Sequence, residues 1–100
     1  MFPSHDIKPT IIIEKVDPES FYADQILEAT GIYAVFYNNR PINIRHLNKL
    51  TASTPIKYTK CSFSNPGHAF NLAKNLNKDF NTDLFTVVLL ESGKTIEKDE

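Results

Sequence analysis

The strongest structural signal in this chain is an amphipathic helix followed directly by an apolar strand. Ser64 or Asn65 can cap the helix, and Pro66 suits its first turn. The apolar stripe that follows has helical spacing and consists of Ala69, Leu72, Ala73, Leu76 and Phe80. The run LFTVVLL at 84–90 predicts a strand that is apolar on both faces, which we expect at the centre of a sheet.

Four other segments have the composition of strands. TIIIEKV at 10–16 is β-branched and apolar, and residues 31–37 are rich in β-forming side chains. Residues 41–47 and 56–63 alternate between apolar and polar positions. Asn38 and Asn39 fall where a two-residue hairpin turn is needed, because asparagine tolerates positive φ.

A second helix is predicted over residues 17–30. Asp17 can cap it, Pro18 can occupy its first position, and Gly31 can end it in the left-handed conformation. The predicted order is therefore β-α-β-β-β-α-β. We expect an α+β fold: a mostly antiparallel sheet of about five strands with two helices on one face.

The chain of 100 residues predicts a single domain over 1–100, with 1–8 and 97–100 frayed. The predicted core consists of Ile12, Ile44, Phe63, Leu72, Leu76, Val87 and Leu89. The stretch MFPSHDIKP is not typical of a secretory signal, and no apolar run is long enough to span a membrane. The single Cys61 fits a reducing compartment. We therefore expect a cytoplasmic protein that does not associate with membranes.

Gly31, Ile32 and Tyr33 form a triplet that resembles the first half of the GIY-YIG nuclease signature. In that family a second strand ends in a YIG-like triplet, and a helix with a catalytic arginine follows. Here the second strand reads NIR at 43–45, and Lys74 or Asn75 stands where the arginine would be expected. The resemblance covers three residues, so we assign no catalytic residue from it.

Nothing in the sequence has the spacing of a metal or cofactor site. The three histidines share no metal-ligand spacing, and the three glycines cannot form a phosphate-binding loop. Cys61 would need a nearby His46 or His68 to act as a nucleophile. It shares a strand face with Phe63, which favours a buried, inert thiol. We therefore expect no cofactor and no metal, and regard an enzymatic activity as the less favoured reading.

Charge is strongly segregated along the chain. Residues 29–78 contain seven lysines and arginines and no acid, whereas 1–28 and 79–100 contain six acids each. Such asymmetry bears on partners more than on fold. The predicted binding residues are Tyr37, Arg40, Arg45, Lys57, Tyr58, Lys60, Lys74 and Lys78.

Two kinds of partner fit this basic segment. The preferred prediction is a small non-catalytic binding module that engages another protein, as an accessory or inhibitor protein of a mobile element would, with a homodimer as one option. The alternative is a nucleic-acid-binding protein, because cations neutralise phosphates and exposed aromatic rings stack on unpaired bases. The overall isoelectric point near 6.3 counts against that alternative.

Overall fold

The computed structural model describes residues 9–98 and has an α+β fold with eight strands and one helix in that range. All five strand pairings are antiparallel. In chain order the elements are β1 (Ile11–Val16), β2 (Ala23–Leu27), β3 (Ile32–Tyr37), β4 (Arg40–Pro41), β5 (Ile44–His46), β6 (Lys57–Thr59), β7 (Ser62–Phe63), α1 (Pro66–Asp79) and β8 (Phe85–Leu90). The expected single sheet of about five strands is therefore wrong, because the strands form one four-stranded and two two-stranded sheets.

Strand β3 is the centre of the four-stranded sheet. It pairs with β8 along its whole length, and its other edge carries β4 at one end and β7 at the other. The predicted central position of the 84–90 strand is wrong, since β8 pairs only with β3 among the described residues. The sequence does not distinguish the two positions, because an edge strand that lies under a helix can be as apolar as a central strand.

Helix α1 covers one face of this sheet. Asn65 is the N-cap and accepts a hydrogen bond from the Gly67 N–H at 2.7 Å, as predicted, with Pro66 in the first turn. The core is small and consists of Val35, Ala69, Ala73 and Leu76. Ala69 and Ala73 lie on one helix face and bring the helix backbone close to the sheet.

The opposite face of the sheet has no helix over it. Residues alternate along β3 and β8, so those that flank Val35 and Val87 point away from α1. We call this surface the open face; it consists of Ile32, Ala34 and Phe36 of β3 and Thr86, Val88 and Leu90 of β8.

The side chain of Asn77 ties α1 to β8. Its Oδ1 accepts a hydrogen bond from the Phe85 N–H at 2.9 Å, and its Nδ2 donates to the Phe85 carbonyl at 3.0 Å. Between these elements, Asn81 adopts φ 54°, and the Thr82 N–H donates to the Asn77 carbonyl at 3.0 Å. This pattern satisfies the last helical carbonyls and turns the chain into β8.

The helix predicted over residues 17–30 does not exist. This segment instead forms β2 and the loop that joins it to β1, and we call residues 11–27 the arm. Asp17 accepts hydrogen bonds from the Glu19 N–H and the Ser20 hydroxyl, both at 3.0 Å, and these bonds keep the pKa of its carboxyl below the ordinary value. The same side chain that could cap a helix thus organises a tight loop, in which Phe21 has φ 64°.

Gly31 is also used differently from the prediction. It does not have positive φ, and it leads into β3 instead of ending a helix. A Cβ atom at this position would lie 2.6 Å from the carbonyl oxygen of Leu90. Glycine is therefore required here because two strands approach closely.

Two predicted strands are each split in two. The predicted 41–47 strand divides into β4 and β5. Pro41 has no N–H to donate, and the Asn43 side chain accepts a hydrogen bond from the Ile44 N–H at 3.0 Å. The chain therefore leaves β3 before β5 begins. Strand β5 then pairs with β6 in a separate ribbon, and the second predicted strand divides into β6 and β7. The predicted Asn38-Asn39 turn is confirmed, because both residues have positive φ and Tyr37 pairs with Arg40.

The predicted core is right in part. Leu76 is buried, and Ile44, Phe63, Leu72 and Val87 pack against the buried cluster. Ile12 and Leu89 are exposed, because Ile12 belongs to the arm and Leu89 to the outer strand. The expected fraying of residues 1–8, 99 and 100 lies outside the described residues; Glu97 and Lys98 are exposed and belong to no helix or strand.

Replacement of Leu76 by alanine tests the α1 interface. We expect Leu76→Ala to lower the free energy of unfolding by about 2–4 kcal/mol, because it leaves a cavity under the helix. Leu50→Ala is the matched control, since Leu50 is 97% exposed and should change stability little. Chemical denaturation followed by circular dichroism measures both, and equal stabilities for the two variants would contradict this packing.

Asn77→Asp tests the tie between helix and strand. The carboxylate can still accept from the Phe85 N–H, but it cannot donate and would face the Phe85 carbonyl. We expect a loss of about 1–3 kcal/mol of unfolding free energy at neutral pH, because a part-buried acceptor loses its donor. Asn75→Asp, on the exposed side of the same helix, is the control. Recovery of stability as the new carboxyl is protonated at low pH would support the geometry, and equal effects of the two substitutions would refute it.

Candidate binding groove and its basic surroundings

An open groove of about 460 Å³ lies between the 42–45 segment and the C-terminal end of α1. Its lining is mostly apolar and consists of Tyr37, Ile42, Asn43, Ile44, Arg45, Leu76, Phe80, Thr82 and Phe85. The Tyr37 and Phe85 rings are 4.8 Å apart between centroids, and Phe80 and Phe85 are 5.7 Å apart. The groove therefore combines aromatic walls with one arginine.

Sheet pairing places two arginines opposite tyrosines, and one member of each pair, Tyr37 or Arg45, lines the groove. Arg40 lies opposite Tyr37 in the β3–β4 hairpin, and Arg45 lies opposite Tyr58 in the β5–β6 ribbon. Directly opposite residues share a face of an antiparallel pair, with Cβ atoms about 5 Å apart. Four of the eight predicted binding residues thus form two cross-strand arginine–tyrosine positions, and Tyr58 is 62% exposed.

The other four predicted residues lie elsewhere. Lys57 is opposite His46, one position along from the Arg45–Tyr58 pair and so on the other face of the ribbon. The Lys60 ammonium lies 5.2 Å from the centroid of the Phe63 ring. Lys74 and Lys78 are exposed and share one helix face. That face is turned away from the groove, since each is two residues from Leu76, about 200° around the helix.

The acidic arm does not cover this basic surface. No Cα atom of β1 or β2 lies within 8 Å of a Cα atom in another described strand or in α1. The carboxylates of the arm are Glu14, Asp17, Glu19 and Asp24, and all four residues are exposed. Glu14 accepts a hydrogen bond from Gln25 across the arm at 2.6 Å. The carboxylates of the arm therefore remain separate from this basic surface in the folded chain.

Cys61 is partly buried and its thiol is not activated. Burial raises the pKa of the Cys61 thiol above its ordinary value, and the Ile44 N–H opposes this shift to a smaller extent. The thiol donates to the Thr59 carbonyl at 3.3 Å. His68, one of the two histidines considered as its base, has its ring 5.9 Å from that of Phe63. A protonated thiol is a poor nucleophile, so this arrangement favours the buried, inert thiol.

No family model, curated protein or solved structure matches this chain. The resemblance of the GIY triplet is therefore not supported by a family match. The close approach of the Leu90 carbonyl explains why residue 31 is a glycine. Within residues 9–98 no three histidine, cysteine or acidic side chains are placed to hold a metal ion. In that same range, α1 is too short and too polar to cross a bilayer.

Of the three aromatic residues that line the groove, Tyr37 is a predicted binding residue, whereas Phe80 and Phe85 are not. The helical spacing predicts Phe80 in the apolar stripe of the helix. Its side chain is instead 65% exposed at the C-cap and lines the groove. Asn81 is the sequence signal that could have shown this, because asparagine tolerates the positive φ that ends a helix. With the helix ending there, the Phe80 ring does not have to lie on the helix face. Phe85 lines the groove from the start of β8.

The pH dependence of Cys61 alkylation tests the state of the thiol. We expect the iodoacetamide reaction rate to rise with pH through an inflection above that of a short cysteine peptide in the same buffer, because burial favours the protonated form. Unfolding the protein in denaturant should remove the difference. An inflection below that of the peptide would instead indicate an activated thiol.

Proposed function

We propose that this protein is a non-catalytic binding module that engages another protein through the groove and the arginine–tyrosine pairs beside it. The supporting observation is the combination of an apolar groove, aromatic walls and the exposed guanidinium of Arg45 in one place. Protein interfaces favour the same combination, in which aromatic and arginine side chains are enriched at the positions that matter most for affinity.

The chemistry of the groove supports a particular kind of partner. An apolar side chain from the partner would displace water from between Ile42, Phe80 and Phe85. A carboxylate next to it would pair with Arg45, whose planar guanidinium can bind both oxygens. The proposed ligand is therefore a protein segment that places an aspartate or glutamate beside a large apolar residue. An accessory or inhibitor role in a mobile element stays a proposal that such a partner would test.

Nucleic acid is the second candidate, and the β5–β6 ribbon is the feature that favours it. Tyr58 is exposed opposite Arg45, so a base could stack on the ring while the guanidinium contacts a phosphate. The ribbon supplies one such pair, and Lys57 is on its other face. The protein-binding proposal uses more of the observed surface, because it also accounts for the apolar groove.

Selection from a displayed random peptide library tests the main proposal. We expect enriched peptides to contain an acidic residue next to a large apolar one. Arg45→Ala should weaken their binding about tenfold, because it removes a charge-assisted contact. Lys74→Ala is the matched control, an exposed cation on the far side of α1 that should leave affinity unchanged. Isothermal calorimetry with the enriched peptides measures both variants.

The same variants separate the alternatives. Equal losses for Arg45→Ala and Lys74→Ala would mean diffuse charge attraction and would overturn the groove proposal. Fluorescence anisotropy with single-stranded and duplex oligonucleotides tests the second candidate. Salt-sensitive oligonucleotide binding that Tyr58→Ala weakens, together with failure to select any peptide, would replace the protein-binding proposal with the nucleic-acid one.

A further inference from the structure

The arm exposes several large apolar side chains, although it touches no other strand or helix of the described residues. Ile13 and Ile26 form a cross-strand pair with exposed fractions of 63% and 58%. The loop at its tip presents Phe21 and Tyr22, which are almost fully exposed. A two-stranded hairpin alone in water is marginally stable, so this arm needs a surface to cover it.

The open face of the four-stranded sheet needs a cover for the same reason. Ile32 and Leu90 are each 42% exposed there, and Phe36 and Val88 are half-buried between them. The apolar pattern of β8 is typical of a strand that is buried on both faces, yet α1 covers only one of them. The chain thus has one sheet face without a helix over it and one isolated ribbon, each with large exposed apolar side chains.

The surface area is large enough for a stable association. The chain exposes 9205 Å², whereas a compact monomer of 11.4 kDa exposes about 5,800 Å². Its radius of gyration is 18.5 Å, against about 13 Å for a compact domain of this length. The chain is therefore extended, and an interface of standard size, with roughly 800 Å² buried on each partner, would cover only part of the excess.

We propose that two copies of this chain form a dimer in which the arm of each copy lies on the open face of the other. Charge selects this pairing over arm-to-arm contact. The arm carries four carboxylates and only Lys15 as a cation, so two arms placed together would repel each other. The rest of the described chain, residues 28–98, which we call the body, contains nine lysines and arginines against five acids, so an arm is attracted overall to the body of a partner.

The connection between arm and body favours exchange between copies. Only residues 28–31 join β2 to β3, and Gly31 is held against the Leu90 carbonyl at the rim of the open face. Four residues span at most about 14 Å, which restricts how the arm can reverse onto its own sheet. Short hinges of this kind favour the partner's surface over the chain's own.

The dimer uses the sheet face opposite to the groove. It therefore does not depend on the proposed function, and each proposal can fail without the other. Substitutions in the arm should leave peptide binding at the groove unchanged, whereas Arg45→Ala should leave the dimer unchanged.

Disulfide trapping between two variant chains tests the contact directly. In a Cys61→Ser background, one chain carries Ile26→Cys and the other Val88→Cys. We expect the mixed disulfide to be the main product under mild oxidation, identified by intact mass, because the arm of one copy meets the open face of the other. Predominance of the two symmetric disulfides would overturn the proposal. So would an intramolecular disulfide in a monomer when one chain carries both cysteines.

Sedimentation velocity tests the association without crosslinks. We expect the unmodified chain to sediment with twice the 11.4 kDa mass of one copy. Ile13→Asp combined with Ile26→Asp should weaken the dimer at least about tenfold, because it places charges in an apolar contact. Leu50→Asp is the matched control at an exposed loop position outside both surfaces. Monomer mass for the unmodified chain at all concentrations, or equal effects of the arm and control substitutions, would overturn the proposal; circular dichroism confirms that each variant is folded.

Discussion

The amide of Asn77 is the contact on which the arrangement of helix and sheet depends. It pairs with both backbone groups of Phe85, much as a neighbouring strand would, and so fixes where β8 begins relative to the end of α1. The buried alanines of the helix then sit over Val35 of β3. The groove is a result of the same contact, because its aromatic walls, Phe80 and Phe85, lie on the two elements that the amide joins.

Much of the sheet and helix could be predicted from sequence, because local chemistry specifies them. Asn65 and Pro66 begin α1, and the two asparagines at 38 and 39 close a hairpin with positive φ. The segment 17–30 could not be predicted in this way, because Asp17 and Pro18 serve equally well in a helix cap and in a tight loop. What decides between them is the cross-strand pairing of β1 with β2, a non-local interaction.

The candidate site shows the same division. The sequence identified Tyr37, Arg40, Arg45 and Tyr58, and strand register pairs them. Alternation along the 56–63 segment puts Lys57 and Tyr58 on opposite faces, but it could not show which of them shares a face with Arg45, because the break at Asn43 sets which strand β5 pairs with. Nor could it reveal the groove, which forms between elements more than thirty residues apart in the chain. The distribution of charge along the sequence thus indicated which segment forms the candidate binding surface, but it did not indicate the shape of that surface.

The position of β8 at the edge of its sheet has a consequence for how the protein avoids aggregation. Beyond the Phe85 groups that Asn77 binds, its outer backbone groups have no strand partner within the described residues, and FTVVLL contains no charge, proline or glycine. Such a segment can template cross-β stacking with other chains. Asp83 and Glu91 bracket the strand at its two ends. In a fibril of stacked identical strands these carboxylates would lie in repelling rows, so they oppose stacking through this edge.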